Sequence, residues 1–300
     1  MPGTVTNVTR RVNNYAENEH RRHGSRREGQ LHHDWRNGQH AGEHLPAIAA
    51  RYDLAMPWQP ALFDAVHEVR NAPDLEAQVY TAVARAAGEP VLELGCGTGR
   101  VLTAVLEAGI AIDGVEIQQS MADAARHKLR DRGLSARIFT EDARRFEPPG
   151  RYRLVIIPSN TLSCFHDHES LNQVFANAAR CLCSDGQLAF DVMQISKRPA
   201  PRFEAPLRWD GDDAKYVQEI SFDASRAMAT VFESVTRAGR TVASHETTQR
   251  LWRQREIEAA FELAGFSYLS APVDERGRPP SKDSVLFFAR LRRGAPRVTR

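Results

Sequence analysis

The 300-residue chain has no run of about 18 apolar residues, the length a helix needs to cross a bilayer, and so no segment reads as a membrane span. Nor does an apolar stretch follow its basic N-terminal residues, so no secretory signal peptide is expected. Cysteine is scarce: Cys96, Cys164, Cys181 and Cys183 fit no zinc-ligand spacing. Cys181 and Cys183 fall in a segment that reads as helix, where side chains two apart do not face each other. Reduced cysteines in a cytoplasmic protein without a metal centre are the expectation. A strong charge excess is missing too, and a net charge of +2 does not by itself argue for nucleic acid.

The basic charge is gathered at one end. Six of the eleven histidines and the arginines Arg10, Arg11, Arg21, Arg22, Arg26 and Arg27 precede residue 45. That segment has almost no apolar residues to offset the entropy of ordering, and its acidic residues dilute its field. Residues 1–44 therefore read as a solvated, disordered tail, with an RNA-binding arm as the alternative. His32, His33, His40 and His44 have no carboxylate or cysteine at set spacing, and make no metal site. Residues 293–300 read as a second tail.

Between the tails, 45–292 reads as one domain. Residues 46–70 carry helical signals broken by Pro57 and Pro60, with Trp58, Leu62, Phe63 and Val66 on an apolar face. Asp74 caps a further helix through Ala86, ended by Gly88. Strands and helices then alternate. Strands fall at Val91–Leu94, Ala111–Glu116, Ala136–Thr140, Leu154–Pro158 and Gly186–Val192, and helices at Gly99–Glu107, Ser120–Arg132 and Ser170–Cys183. Short, continuously apolar strands between helices mean an α/β fold with a parallel sheet covered on both faces. From Tyr216 to Trp252 the period becomes two, with a hairpin signal at Gly239-Arg240. This part of the 203–252 insertion reads as a three-stranded antiparallel unit. A helix over Glu256–Ala264 and two closing strands, around Phe266–Ala271 and Ser284–Leu291, complete the domain.

The loop between the first strand and the next helix, Gly95-Cys96-Gly97-Thr98-Gly99, falls where open α/β sheets bind ligands. Its glycines allow close approach to the backbone, and the helix behind it offers free N–H groups. Dinucleotide loops read G-x-G-x-x-G, the third glycine letting helix pack on strand. Here the third glycine comes one step early, with Arg100 in the packing position and Glu93 just inside the strand. Glu116 ends the second strand, where an acid accepts from both hydroxyls of a ribose. Thr140-Glu141-Asp142-Ala143 follows the third strand, and Ile157-Pro158-Ser159-Asn160 the fourth.

In these four places, in this order, the chain resembles the class I S-adenosylmethionine-dependent methyltransferases. The resemblance covers about residues 45 to 290. It implies a seven-stranded, helix-flanked sheet with a small antiparallel β lid inserted after the fifth strand. It also implies S-adenosylmethionine as cofactor, held by Glu93, Gly95, Cys96, Gly97, Gly99, Glu116, Ile117, Asp142, Ala143 and Ser159, with Asp142 on the adenine amino group. The step after the fourth strand is not the pattern of enzymes that methylate exocyclic base amines, which lowers the nucleic-acid reading.

The insertion resembles the lid of small-molecule methyltransferases, especially those acting on amino-sugar and glycine-like amines. Arg51-Tyr52-Asp53 resembles the step where a helix closes over the cofactor, and Tyr52 becomes a candidate to gate or bond it. A lid makes a closed pocket for a small acceptor, whereas a macromolecule needs an open basic rim. His166 is a candidate base just past the fourth strand, since imidazole exchanges protons near neutral pH. His168 is a second candidate base, though it reads more readily as capping the next helix or facing solvent at its start, and His245 reads as a surface residue of the lid. Asp191, ending the fifth strand, either orients an amine or bonds local backbone. The expectation is a methyltransferase acting on an amine or hydroxyl of a small molecule in specialised, antibiotic-type metabolism. RNA or protein methylation with the basic arm, and a non-catalytic cofactor-binding subunit, are the alternatives. Whether two copies pair as a homodimer is left open.

Overall fold

Four-residue strands of Val, Ile and Leu are too short and too apolar to stand alone, and they are buried on both faces of one sheet. In the computed structural model the described residues are 60–70, 74–193, 202–209, 211–273 and 284–291. Both tails, and Tyr52, lie outside them. Strand β1 (Val91–Leu94) pairs in parallel with β2 (Ile112–Val115) and with β4 (Tyr152–Ile157). Outside these, β3 (Ile138–Phe139) joins β2 and β5 (Leu182–Met193) joins β4, again in parallel. Five strands, not seven, thus form the parallel run. The two others enter by antiparallel pairing: β11 (Ser284–Leu291) lies against β5, and β10 (Phe266–Tyr268) lies against β11.

The two faces of this sheet carry separate cores. Leu92, Leu94, Val155, Ile157 and Phe190 face α5 (His168–Cys181) and α6 (Gln254–Leu263), which contribute Val174, Phe175, Ile257 and Phe261. Val91, Leu154, Ile156 and Ala189 face α2 (Leu75–Ala87), α3 (Arg100–Glu107) and α4 (Gln119–Asp131). Asp74 caps α2, its Oδ1 accepting from Ala77 N at 2.9 Å. Helix α5 ends at Cys181, and Cys183 lies in β5, so the two cysteines do not share a helix as the sequence suggested. A register shift between Tyr152 and Leu154 lets β5 begin directly from the helix end.

The insertion is a second sheet of four antiparallel strands, not three: β6 (Phe203–Trp209), β7 (Asp212–Asp223), β8 (Met228–Arg237) and β9 (Arg240–Arg250). Pro206 hides β6 from sequence reading. An edge strand tolerates a residue that cannot donate, and β6 is at the edge. The short helix α1 (Pro60–Arg70) joins this sheet to the rest. Leu62 and Val66 bury against Leu207, Tyr216, Val235 and Ala243, worth about 1.5–3 kcal/mol for each large apolar side chain. From the same helix Asp64 accepts from Thr98 Oγ1 at 2.5 Å and from Lys128 Nζ at 2.9 Å, which ties it to the glycine loop and to α4. At its far end the sheet returns through Trp252, whose Nε1 donates to the Leu162 carbonyl at 2.9 Å.

Gly114 in β2 lies directly under the glycine loop. A Cβ there would sit 2.7 Å from Cys96 Sγ and 2.8 Å from Leu102 Cδ1. Gly114→Ala is expected to destabilise the protein by about 1–3 kcal/mol through overpacking. The urea-unfolding midpoint measures it, and an unchanged midpoint contradicts the packing described.

Candidate active site

At the carboxyl edge of the parallel sheet, the glycine loop, the ends of β2, β4 and β5, the residues after β3, and the inner face of the lid sheet enclose one cavity of about 710 Å³. Such a volume is within the range of small-molecule and cofactor sites.

The loop end is shaped by backbone that only glycine accepts cheaply. Gly95 has φ +77°, and a Cβ on it would lie 2.5 Å from Thr161 Cγ2. Gly97 donates its N–H to Glu116 Oε2 at 2.9 Å, while Gln118 N donates to Oε1, also at 2.9 Å. Two backbone donors thus fix the Glu116 carboxylate at the cavity wall. Burial raises its pKa, against the pull of those amides. Glu93 is 2 % exposed, and burial pushes its carboxyl well above the usual range. Its Oε2 makes no hydrogen bond, an uncompensated acceptor at the cavity wall. Cys96, Ile117 and Ala143 line the cavity as expected. Gly99 does not. It starts α3 in the left-handed region, and a Cβ on it would meet Ala125 Cβ at 3.2 Å. Gly99 therefore packs α3 on α4, the role the spacing had denied it.

Asp142 lines the cavity with both oxygens bonded to Arg144, 2.6 Å at the shortest. Burial would raise its pKa, but the guanidinium outweighs burial and holds it low. After β4, Ser159 and Asn160 both adopt positive φ, +61° and +55°, a strained pair where the chain must turn above the cavity. What holds the turn is a network with little sequence signature. Ser159 N donates to Glu76 Oε1 at 2.6 Å, and Asn160 N donates to Asp191 Oδ2 at 2.7 Å. Tyr80 Oη donates to Asp191 Oδ1 at 2.7 Å. Asp191 thus bonds local backbone, one of the two readings offered for it, and also lines the cavity. Burial, with Glu76 adding to it, pushes its carboxyl up to about 8. Arg100 closes the network, donating to Asp74 at 2.6 Å and to Ser159 Oγ at 2.7 Å, and to Glu76 as well.

His166 lines the cavity, and its Nε2 lies 2.8 Å from the Thr248 carbonyl of β9. A carbonyl only accepts, so Nε2 carries the proton and the neutral ring has its lone pair on Nδ1. Burial pulls its pKa below the ordinary value, although the bond to Thr248 opposes this. His168 is exposed, sits edge-on to Trp252 and bonds Glu256 at 3.2 Å. Asp167, not His168, caps α5. His245 is buried, not on the surface, because β9 turns it to the face shared with Ala243 and Thr247. Burial pulls its pKa down to about 4. Sequence reading also missed the lid and α1 residues that line the cavity, among them Phe63, Gln218, Glu233 and Gln249. The period-two alternation of the lid strands is visible in the sequence, but which face meets the cavity is set by tertiary packing.

Residues 91–186 match a protein family described as a methyltransferase domain. A Geobacillus sp. protein named as a methyltransferase is 25% identical over 209 residues, 68% of this chain and 84% of that one. The dTDP-3-amino-3,6-dideoxy-alpha-D-glucopyranose N,N-dimethyltransferase of Streptomyces fradiae is 24% identical over 227 residues, 72% of this chain and 87% of that one. Among solved structures, a SAM-bound amino pentose methyltransferase of Micromonospora echinaspora, involved in calicheamicin biosynthesis, superposes with a TM-score of 0.62 at 20% identity, over 79% of this chain and 98% of that one. At that identity the likeness is one of fold.

Two measurements check the geometry. Glu116→Ala removes a carboxylate acceptor held by two amides, and S-adenosylhomocysteine affinity is expected to fall about 10–100-fold by calorimetric titration. The second concerns stability against pH. The ordinary histidine value is about 6.5. The folded His245 value is lower, so its contribution is full above about 6.5 and is lost as pH falls toward about 4. His245→Gln should therefore lose less unfolding free energy than wild type between pH 7 and pH 4.5. Equal losses contradict a buried neutral ring.

Proposed function

We propose that this chain, an S-adenosylmethionine-dependent methyltransferase of the class I fold, transfers a methyl group to an amine or hydroxyl of a small molecule, with an amine favoured. The observation that carries this is one continuous cavity, whose wall runs from the glycine loop through His166 and Asn160 to Gln218 and Glu233 of the lid. A roof of sheet leaves room for a small acceptor beside the cofactor.

The residues fit the cofactor. Glu93 Oε2, a buried acceptor without a donor, suits the ammonium of a methionine moiety. Glu116 is fixed where it can accept from ribose hydroxyls, and Ile117 and Ala143 offer apolar wall to an adenine, with Asp142 at its edge. When bound, S-adenosylmethionine supplies a sulfonium methyl as the electrophile. The chain's part is to align the nucleophile, keep the pocket dry and take the proton. We assign that proton to His166 Nδ1, because the lid carbonyl of Thr248 holds the Nε2 proton in place.

Electrostatics favour an amine acceptor over a polyanion. Carboxylates line the cavity at Glu76, Glu93, Glu116, Glu141, Asp142, Asp167, Asp191 and Glu233, against guanidinium groups at Arg100 and Arg144. Such a field attracts cations and repels phosphates. The Streptomyces and Micromonospora relatives, named for amino sugars, support an amine and a role in specialised metabolism.

The test is transfer from methyl-labelled cofactor to panels of small amines, phenols and alcohols, beside bulk RNA and protein, by the full chain and by a chain lacking residues 1–40. Turnover on a small acceptor, unchanged by the deletion, is expected. Transfer to RNA or protein alone overturns the reading. His166→Gln should lower kcat about 100-fold or more. In wild type the acid limb of kcat should lie below pH 6.5, since the ring must be neutral to accept and its pKa is lowered.

A further inference from the structure

The residues after β3 and the start of α5 are joined by one side chain, and the join ends beside His166. Arg144 makes four contacts with Asp142. Its backbone N and its Nε reach Oδ1 at 2.9 and 3.0 Å, and Nε and Nη2 reach Oδ2 at 3.0 and 2.6 Å. A carboxylate offers about four lone-pair sites, so Arg144 alone fills Asp142. Its remaining nitrogen, Nη1, donates to Ser170 Oγ at 3.1 Å. Ser170 passes the contact on: its Oγ donates to Asp167 Oδ2 at 3.1 Å, and its backbone N donates to Asp167 Oδ1 at 2.7 Å. Asp167 caps α5 and directly follows His166. Every member of this path lines the cavity.

A purine amino group that reaches Asp142 needs a lone pair that Arg144 holds. The guanidinium then cannot keep all its contacts, and a second anion is within its reach: Asp167, to which Ser170 already bridges it. Both Arg144 and Asp142 are half-buried, so solvent screens this exchange only in part. Two charges act on His166 from either side. Asp167, a neighbouring anion, favours a proton on the ring, and Arg250 of β9 opposes it. Arg250 is held by the Arg226 carbonyl and by Glu256, away from this path. Arg144 drawn toward Asp167 therefore cancels part of the one field that keeps His166 protonated.

We propose that Arg144 is a positioning residue that reports an occupied adenine site to the base: drawn off Asp142 by the purine amino group, it pairs with Asp167 and favours the neutral, proton-accepting form of His166. The methyl donor thus readies the base from the far end of its own site, through three side chains and without touching the ring. Ser170 keeps the guanidinium and Asp167 together in both arrangements. The inference deepens the assignment of His166 as the base and rests on that reading.

The test is an NMR titration of His166 in the full chain, its signal assigned by its loss in His166→Gln. The protein is titrated free, with S-adenosylhomocysteine, and with the 6-deamino analogue, in which purine replaces adenine and brings no amino group to Asp142. S-adenosylhomocysteine should move the His166 midpoint down by about half a pH unit, the size of one partly screened charge at close range. The analogue should move it less than half as far. Arg144→Met should abolish the fall. If that variant does not fold, Asp167→Asn keeps a side chain able to cap α5. It should start from a lower midpoint and show no further fall with either ligand. Equal falls with the two ligands, no fall in wild type, or a fall that survives these substitutions overturns the inference alone. An undiminished kcat in His166→Gln overturns the assignment of the base, and the inference with it.

Discussion

One guanidinium holds the site in register. Arg100 begins α3, directly behind the glycine loop, and its two terminal nitrogens reach Asp74 and Glu76 on α2 and Ser159 after β4. These are the three segments that must keep fixed distances for a cofactor to lie across the sheet edge. Glu76 extends the hold to Ser159 N, and Asp191, itself held by Tyr80, does the same for Asn160 N. Two consecutive residues can therefore remain at positive φ, a conformation that costs of order 1–3 kcal/mol for each residue and needs surroundings that over-determine it. Burial opposes the charge on Arg100, and Glu76 and Asp74 more than offset that. Arg100 serves where a packing glycine would be in a dinucleotide fold, and Gly99, one step earlier, packs the helix instead.

A second set of contacts attaches the lid to this frame. Helix α1 turns Leu62 and Val66 to the lid sheet and Asp64 to the glycine loop, so one short helix couples the roof to the floor of the cavity. On the other side Trp252 is pinned to the turn after β4, whose next residues include His166. The lid's position and the cofactor loop's conformation are thereby linked through α1 and through the β4 turn. A perturbation of either is felt at His166, whose tautomer depends on a lid carbonyl.

The parallel sheet was legible in the sequence because its signals are local: apolar runs, glycine stops, and the acids Glu93 and Glu116 at strand ends. Most expected cofactor positions line the cavity for the same reason, since a motif is a statement about one turn and its flanks. The errors have a common physical origin in tertiary choice. Pro206 concealed an edge strand because edge position is not a property of the segment itself. His245 looked like surface because a polar residue in an alternating strand points outward unless the inner face has a use for it. Arg100 and Glu76 carried no motif at all, as their function is to meet across 24 residues of chain.

The distribution of buried acid ties these observations together. Burial raises the pKa values of Glu93, Glu116 and Asp191, outweighing the Arg100 guanidinium near Glu93 and the backbone amides at Glu116 and Asp191. Each raised value means that the anionic form is held at a cost, and that a cation entering the cavity is bound partly by relieving it. A ligand that brings a sulfonium and an ammonium relieves it at the loop end. Glu233 is buried at the lid end, where the amide of Gln218 and the hydroxyl of Tyr216 donate to it. Neutral donors reduce the cost of a buried carboxylate without cancelling its charge. The cavity wall is thus acidic from the glycine loop to the lid, and the proposed choice of an amine acceptor rests on that continuity.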